Sequence, residues 1–183
     1  STSDGVIIYL DNIPPTKPVI TLPITLSNTS SLTVTGIKES ASFIEINGNT
    51  ANIQTGSDTF SKYFIQPEGT TLYAIVSFDK FGNRSETSYI SITVDLTPPA
   101  KPLVIFASPT NDSIQLISGT VELNAALSIN GDTSQVLIFL NNWQYQAVLN
   151  EGYNTFTVSA KDAAGNVNDT IFAIFLDTIP PDK

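Results

Sequence analysis

Asp11-Asn-Ile-Pro14-Pro15-Thr-Lys17-Pro18 recurs as Asp95-Leu-Thr-Pro98-Pro99-Ala-Lys101-Pro102, and again at the end of the chain as Asp177-Thr-Ile-Pro180-Pro181-Asp-Lys183. The second copy begins 84 residues after the first and the third 82 after the second. Between these anchors other matches fall 83 residues apart: Gly36 with Gly119, Glu39 with Glu122, Gly48 with Gly131, Asp79 with Asp162, and Gly82-Asn83 with Gly165-Asn166. Self-similarity at a fixed period marks a repeat architecture. The chain therefore reads as two tandem domains, 11–95 and 96–177. Residues 1–10 match the strand that ends each repeat and read as the last strand of a preceding copy. Residues 178–183 read as the start of a following linker. The chain also lacks Met, so it reads as a mature protein or as a window cut from a longer array.

Within each repeat, runs such as Ser31-Leu-Thr-Val-Thr-Gly36 and Thr71-Leu-Tyr-Ala-Ile-Val-Ser77 are rich in β-branched and aromatic residues. Turn clusters bound them, including Asn47-Gly48-Asn49 and Pro67-Glu68-Gly69. No stretch keeps a helical apolar period over three turns. Strands are expected near Val19–Leu22, Leu32–Ile37, Phe43–Ile46, Asn52–Thr55, Phe60–Ile65, Leu72–Phe78 and Tyr89–Val94. The second repeat predicts them near Leu103–Phe106, Ile114–Gly119, Ala126–Ile129, Val136–Phe139, Trp143–Leu149, Thr155–Ala160 and Ile171–Leu176. Seven short strands in roughly 83 residues point to an all-β, two-sheet sandwich.

Composition removes most chemistry. The 183 residues include neither Cys nor His, so thiol nucleophiles, imidazole bases, disulfides and the usual zinc ligand sets are excluded. Eight Lys and Arg against 17 Asp and Glu leave a net charge of −9, which argues against nucleic acid, whose phosphates require a basic face. No apolar run is long enough to span a membrane, and no basic n-region with an apolar h-region opens the chain.

These residues resemble the immunoglobulin-like repeats found in tandem in large bacterial surface and secreted proteins. The resemblance is carried by the Gly of the second strand (Gly36, Gly119) with its following Glu, and by the Asn-Gly turns (Asn47-Gly48, Asn130-Gly131). It extends to the aromatic opening the fifth strand (Phe60, Trp143) and to the stretch Glu151-Gly152 through Asp162-Ala-Ala-Gly165-Asn166. The linker and the Asp-Ala-Ala-Gly-Asn turn also resemble fibronectin type III modules of secreted polysaccharide-degrading enzymes, although neither repeat has a Trp early in its B strand. The resemblance implies two Ig-like β-sandwich domains joined by a short Pro-Pro linker in an extracellular, cell-surface or secreted protein. It implies a non-catalytic structural or adhesion role as a semi-rigid stalk. Partners would be neighbouring repeats and a host or surface glycan or protein. The alternative it leaves open is an accessory carbohydrate-binding or spacer module of a secreted polysaccharide-degrading enzyme.

In such a sandwich, Glu122 lies in the B–C loop and Asp162 opens the F–G loop, both facing the entering linker. Asp95 ends the preceding strand, so these three carboxylates are expected to converge at a domain junction. Asp11, Glu39 and Asp79 form the same set one repeat earlier. Three carboxylates with carbonyls and water suit Ca²⁺, a hard ion that takes 6–8 oxygens. The competing expectation is that Asp79 and Asp162 cap their turns through backbone N–H groups while Asp11 and Asp95 start linker turns. The Pro-Pro pairs favour an extended, semi-rigid spacer. Trp143 is expected in the core. Tyr145, aligned with Lys62, is the candidate ligand contact. Lys17, Lys38, Lys62, Lys80, Lys101 and Lys161 are expected on the surface, which disfavours Ser-Lys catalysis and Lys–Asn isopeptide bonds. No catalytic residue is assigned.

Overall fold

The computed structural model describes residues 10–21, 25–51 and 57–181, and every regular element among them is a strand. The chain divides into two compact units, Ser1–Asp95 and Leu96–Lys183. The expected strand at Asn52–Thr55 and the strand of a preceding copy within 1–10 lie outside the described residues, apart from Leu10.

The first unit contains β1 (Val19–Ile20), β2 (Leu26–Ser27), β3 (Ser31–Ile37), β4 (Phe43–Ile46), β5 (Asn49–Ala51), β6 (Thr59–Ile65), β7 (Gly69–Phe78) and β8 (Ser88–Val94). One sheet has the order β1-β3-β6 and the other β2-β8-β7-β4-β5. The second unit contains β9 (Leu103–Ile105), β10 (Ile114–Thr120), β11 (Ala126–Ile129), β12 (Leu137–Phe139), β13 (Asn142–Val148), β14 (Gly152–Lys161) and β15 (Val167–Leu176). Its sheets run β12-β13-β10-β9 and β11-β14-β15.

Alternation builds both sandwiches. In β3, Leu32, Val34 and Gly36 are buried while the residues between them face outward, the pattern of a half-buried strand. The first core gathers Leu32, Val34, Ile44, Phe60, Ile75 and Ile92. The second gathers Ile117, Leu127, Trp143, Val158, Ile174 and Leu176. Gly36 and Gly119 are required where the first strand crosses the second: a Cβ on Gly119 would lie 1.8 Å from the Leu103 carbonyl oxygen, and one on Gly36 would lie 2.3 Å from the Phe60 ring. The aromatics at that crossing, Phe60 and Trp143, are buried as expected.

Three differences from the sequence reading stand out. The first strand of each unit splits. Its opening half pairs antiparallel with the second strand, and its closing half runs parallel to the last, as Leu26↔Thr93 in one unit and Thr110↔Leu176 in the other. The sixth expected strand of each repeat begins earlier than the β-branched run suggests, because Gly69 and Gly152 already pair with Val94 and Leu176. The third difference corrects the placement of Lys38, which is 3% exposed rather than on the surface. Counting by two from Leu32 puts it on the inner side, where its ammonium donates to the Ser57 carbonyl at 2.6 Å and to that of Glu39 at 3.4 Å.

Candidate functional site

The repeated polar residues gather at the end of each sandwich where the chain enters. In the first unit the β7–β8 turn is closed by Asp79. Its Oδ1 accepts N–H bonds from Phe81 and Asn83, both at 2.9 Å, and its Oδ2 accepts the Asn83 side-chain amide at 2.7 Å. Asp162 closes the β14–β15 turn in the same way, with Gly165 and Asn166 on Oδ1 and the Asn166 amide on Oδ2. Partial burial alone would raise both carboxyls; the hydrogen bonds from Asn83 or Asn166 and the turn N–H groups outweigh it and hold both below the usual carboxylate range.

The glutamates do a different job. Glu39 Oε2 accepts the Thr16 N–H and Glu122 Oε2 accepts the Ala100 N–H, each at 2.8 Å. Both donors sit just after a Pro-Pro pair, whose prolines cannot donate. The Asn83 amide reaches the Asp11 carbonyl at 3.0 Å, and in the second unit Asn166 and Asn168 reach the Thr97 and Pro99 carbonyls. Ser88 donates to the Pro18 carbonyl and Thr170 to that of Pro102. Pro15, Pro18, Pro99 and Pro102 are all buried. Each entering segment is thus stitched along its length to the unit it opens.

Asp11 accepts the Ile13 N–H at 3.1 Å, starting a linker turn, and Asp177 does the same with Ile179. The fold places Asp11, Glu39 and Asp79 around one depression of about 380 Å³, shared with Pro15, Lys80 and Phe81. Of the second set, Asp95 lies in the first unit and Glu122 and Asp162 in the second. Tested as calcium ligands, the first set fits poorly. Hydrogen bonds already occupy both Asp79 oxygens, Glu39 Oε2 and Asp11 Oδ1, and Lys80 shares the depression. No group of three or more His, Cys, Asp or Glu arranged to hold a metal occurs among the described residues.

Tyr145, the candidate ligand contact, is half-buried. It packs on the second core with its ring edge-on to Phe156 at 6.5 Å. Its counterpart Lys62 lines a mouth of about 220 Å³ in the first unit with Ile46, Phe64 and Tyr73, so Tyr145 occupies the kind of space that Lys62 leaves open.

Sequence reasoning missed a buried polar set in the first unit. Gln66, 2% exposed, donates to the Gly69 and Ile92 carbonyls at 2.9 and 3.1 Å and accepts the Tyr73 hydroxyl at 2.9 Å. Desolvation raises the Tyr73 pKa, and desolvation lowers that of Lys38 against the opposing pull of Asp58. The signal was the alignment itself, since Lys38, Gln66 and Tyr73 face Val121, Leu149 and Phe156 across the repeat.

No protein-family model matches the sequence, and no curated protein does. Solved structures do share the fold. The fibronectin(III)-like modules of CbhA from Clostridium thermocellum superpose with a TM-score of 0.53 at 14% identity, over 87% of this chain and 93% of that one. Weaker likenesses are a 1.5-MDa bacterial ice-binding adhesin (TM-score 0.45, 19% identity, 88% of this chain and 65% of that one) and the D00–D0 domain of intimin (0.36, 15%, 87% and 100%). At these identities the likeness shows the fold alone: tandem Ig-like, fibronectin-like sandwiches.

Proposed function

We propose that this chain is a non-catalytic extracellular module, a semi-rigid stalk segment of a repeat-containing surface protein. The observation that carries the reading is the paired clasp of Glu39 on Thr16 and Glu122 on Ala100, both at 2.8 Å. A linker whose donors and carbonyls are bonded to its own sandwich, with two of its prolines buried, has little freedom left to act as a tether. The repeated carboxylates serve backbone geometry in both units, as structural parts do, and no general acid–base pair is assigned among them.

Small-angle scattering of the 183-residue chain tests this. The wild type is expected to give a narrow distribution of intramolecular distances, and Glu122→Ala a broader one with an unchanged melting temperature. A wild type as broad as the variant overturns the stalk reading.

Calcium at the unit poles is the second reading, favoured by the three carboxylates around one depression. It requires the ion to share oxygens already engaged with N–H groups. Millimolar Ca²⁺ against EDTA in the same scattering and melting experiments decides it, since a ligand of the folded state raises stability by about 2.7 kcal/mol at a hundredfold excess over its Kd. The accessory carbohydrate-binding reading predicts retardation of the chain in polysaccharide affinity gels, reversed by Tyr145→Ala. The half-buried setting of Tyr145 weighs against it.

A further inference from the structure

We propose that the second unit self-associates through β12, forming a weak two-fold dimer in which Leu137-Ile138-Phe139 of two copies pair antiparallel. β12 is an edge strand, hydrogen-bonded to β13 alone. Natural edge strands are blunted by Lys, Pro, bulges or covering segments, and this one carries neither Lys nor Pro. Leu137 and Phe139 are 73% and 76% exposed, and the following Leu140 is 69% exposed in a left-handed conformation with φ of 57°, which is uncommon for a bulky residue.

The register supplies the complementarity. Leu137 faces Gln144 and Phe139 faces Asn142 across the ladder, so both side chains stand on the outer face. The two-residue Leu140-Asn141 connection makes Phe139 and Asn142 the hydrogen-bonded pair. The alternation of an antiparallel ladder therefore turns the Ile138 N–H and C=O toward the open edge. A two-fold axis beside Ile138 lets the two Ile138 residues exchange both bonds and sets Leu137 against Phe139 of the other copy, twice. Aromatic–aliphatic cross-strand pairs of this kind are favourable, and two-fold pairing closes the assembly.

The self-complementary register makes a second copy the occupant, and the local charge permits it. The molecule carries −9, so two copies repel over most of their surface. The 18 residues from Thr133 to Asn150 contain no charged side chain, and neither do β9 and β10 behind them. Copies can meet along this sheet without opposing carboxylates. Leu137, Phe139 and Leu140 offer on the order of 300 Å² per copy against the roughly 800 Å² per partner of a standard stable interface, so the dimer is weak, with a dissociation constant on the order of 10–100 µM.

Sedimentation velocity of the whole chain from about 5 to about 500 µM spans that range. The wild type is expected to pass from monomer to dimer. Leu137→Lys/Phe139→Lys and Leu137→Glu/Phe139→Glu are each expected to remain monomeric with the wild-type melting temperature, their side chains being exposed. An equimolar mixture of the two is expected to dimerise at least as well as the wild type, because the two-fold register sets every Lys against a Glu. A wild type that stays monomeric overturns the proposal, whether or not an extended peptide or polysaccharide is found to bind the edge. So does dimerisation that survives either double substitution, association that continues past the dimer, or a mixture that fails to recover it.

Discussion

The two units solve one folding problem with different interiors. At their entering poles they use the same parts, though not every bond is shared: an Asp closes the last turn, an Asn bridges it, a Glu holds the linker. In their cores they diverge. The first unit buries Lys38, Ser42, Gln66 and Ser77, where the second has Val121, Ala125, Leu149 and Ala160. Their aromatic packing is exchanged as well. Phe64 packs at a tilt on Tyr73, 4.7 Å between ring centres, in the first, whereas Ala147 leaves room for Tyr145 to reach Phe156 in the second. A core tolerates such trades when each buried polar atom finds a partner, whereas a turn made of backbone donors in fixed positions accepts few side chains.

The edges diverge too. Both units carry an Asn-Gly turn with positive φ at both residues, and the Asn side chain accepts an N–H from the neighbouring long strand, Ala74 or Thr157, at 2.8 Å. In the first unit the chain continues from Asn49 as β5, paired with β4. In the second, Asp132 makes one bridge with Ile129 and then accepts the Ser134 N–H at 2.8 Å, turning the chain away to become β12 against β13. One side chain, Asn49 or Asp132, stands where pairing with the preceding strand continues in the first unit and stops at a single bridge in the second.

The sharpest test of equivalence is the strand crossing. Gly119→Ala drives a Cβ into the Leu103 carbonyl and is expected to cost about 3 kcal/mol or more. In calorimetry it should unfold the second unit early and leave the first transition where it was. If both transitions move together, the units are not independent.

Next in size is the buried amide. Gln66→Leu copies the second unit but strands the Tyr73 hydroxyl and two carbonyls, and should destabilise the first unit by about 2 kcal/mol. Adding Tyr73→Phe, which completes the copy, should recover a large share of that loss. Urea unfolding of the four members of the cycle measures the coupling, and simple additivity would show that the network is not a unit.

A smaller effect separates the units by pH. Asp79 and Asp162 are depressed in the folded state, so their contribution is present above the unfolded carboxylate pKa of about 3.9 and fades as pH falls through the lower folded values. Acid should therefore weaken both units, the second more because Asp132, held by the Ser134 N–H, is depressed as well, and Asp79→Asn/Asp162→Asn should flatten the shared part of the loss. Lys38 is also depressed, so the unfolded chain binds the extra proton and the first unit alone gains stability as pH rises toward the free-lysine value of about 10.4. The raised Tyr73 opposes this above about pH 10, where the unfolded phenol ionises first. Thermal melts across the pH range should show both units losing stability in acid, the second more steeply, and only the first responding to Lys38 and Tyr73 in base. The smallest change is topological. Asp132→Asn, worth under about 1 kcal/mol, should increase amide-exchange protection at residues 132–134 and lower it at 137–139.

Much of this is legible in the amino-acid sequence. The repeat, the Asn-Gly hairpins and the glycine crossings rest on local rules: a period, a left-handed turn, an absent Cβ. Lys38 was misplaced because its charge outweighed its parity, although Leu32, Val34 and Gly36 point to the inner face and Val121 occupies the matching position. The short β2 could not be read, since two residues carry no alternation. The carboxylates at the pole have two readings because residue type tells that an oxygen is available and not which N–H it meets; only distances show that Asp79 and Asp162 accept the N–H groups of their own turns.

The split first strand has a mechanical consequence. In the first unit Thr25 and Ser27 accept the N–H groups of Thr93 and Asp95, both at 2.9 Å, and in the second Thr110 bonds with Phe175 and Asp177 at 3.0 and 2.9 Å. These bridges join the opening and closing strands of each sandwich side by side in the same direction. A pull on the two ends of a unit draws such strands past each other, so the bridging bonds share the strain and must yield together. An antiparallel pair pulled at its open end would instead unzip, losing its bonds in succession. The few residues that let the first strand change sheets thereby set each module's resistance to stretching.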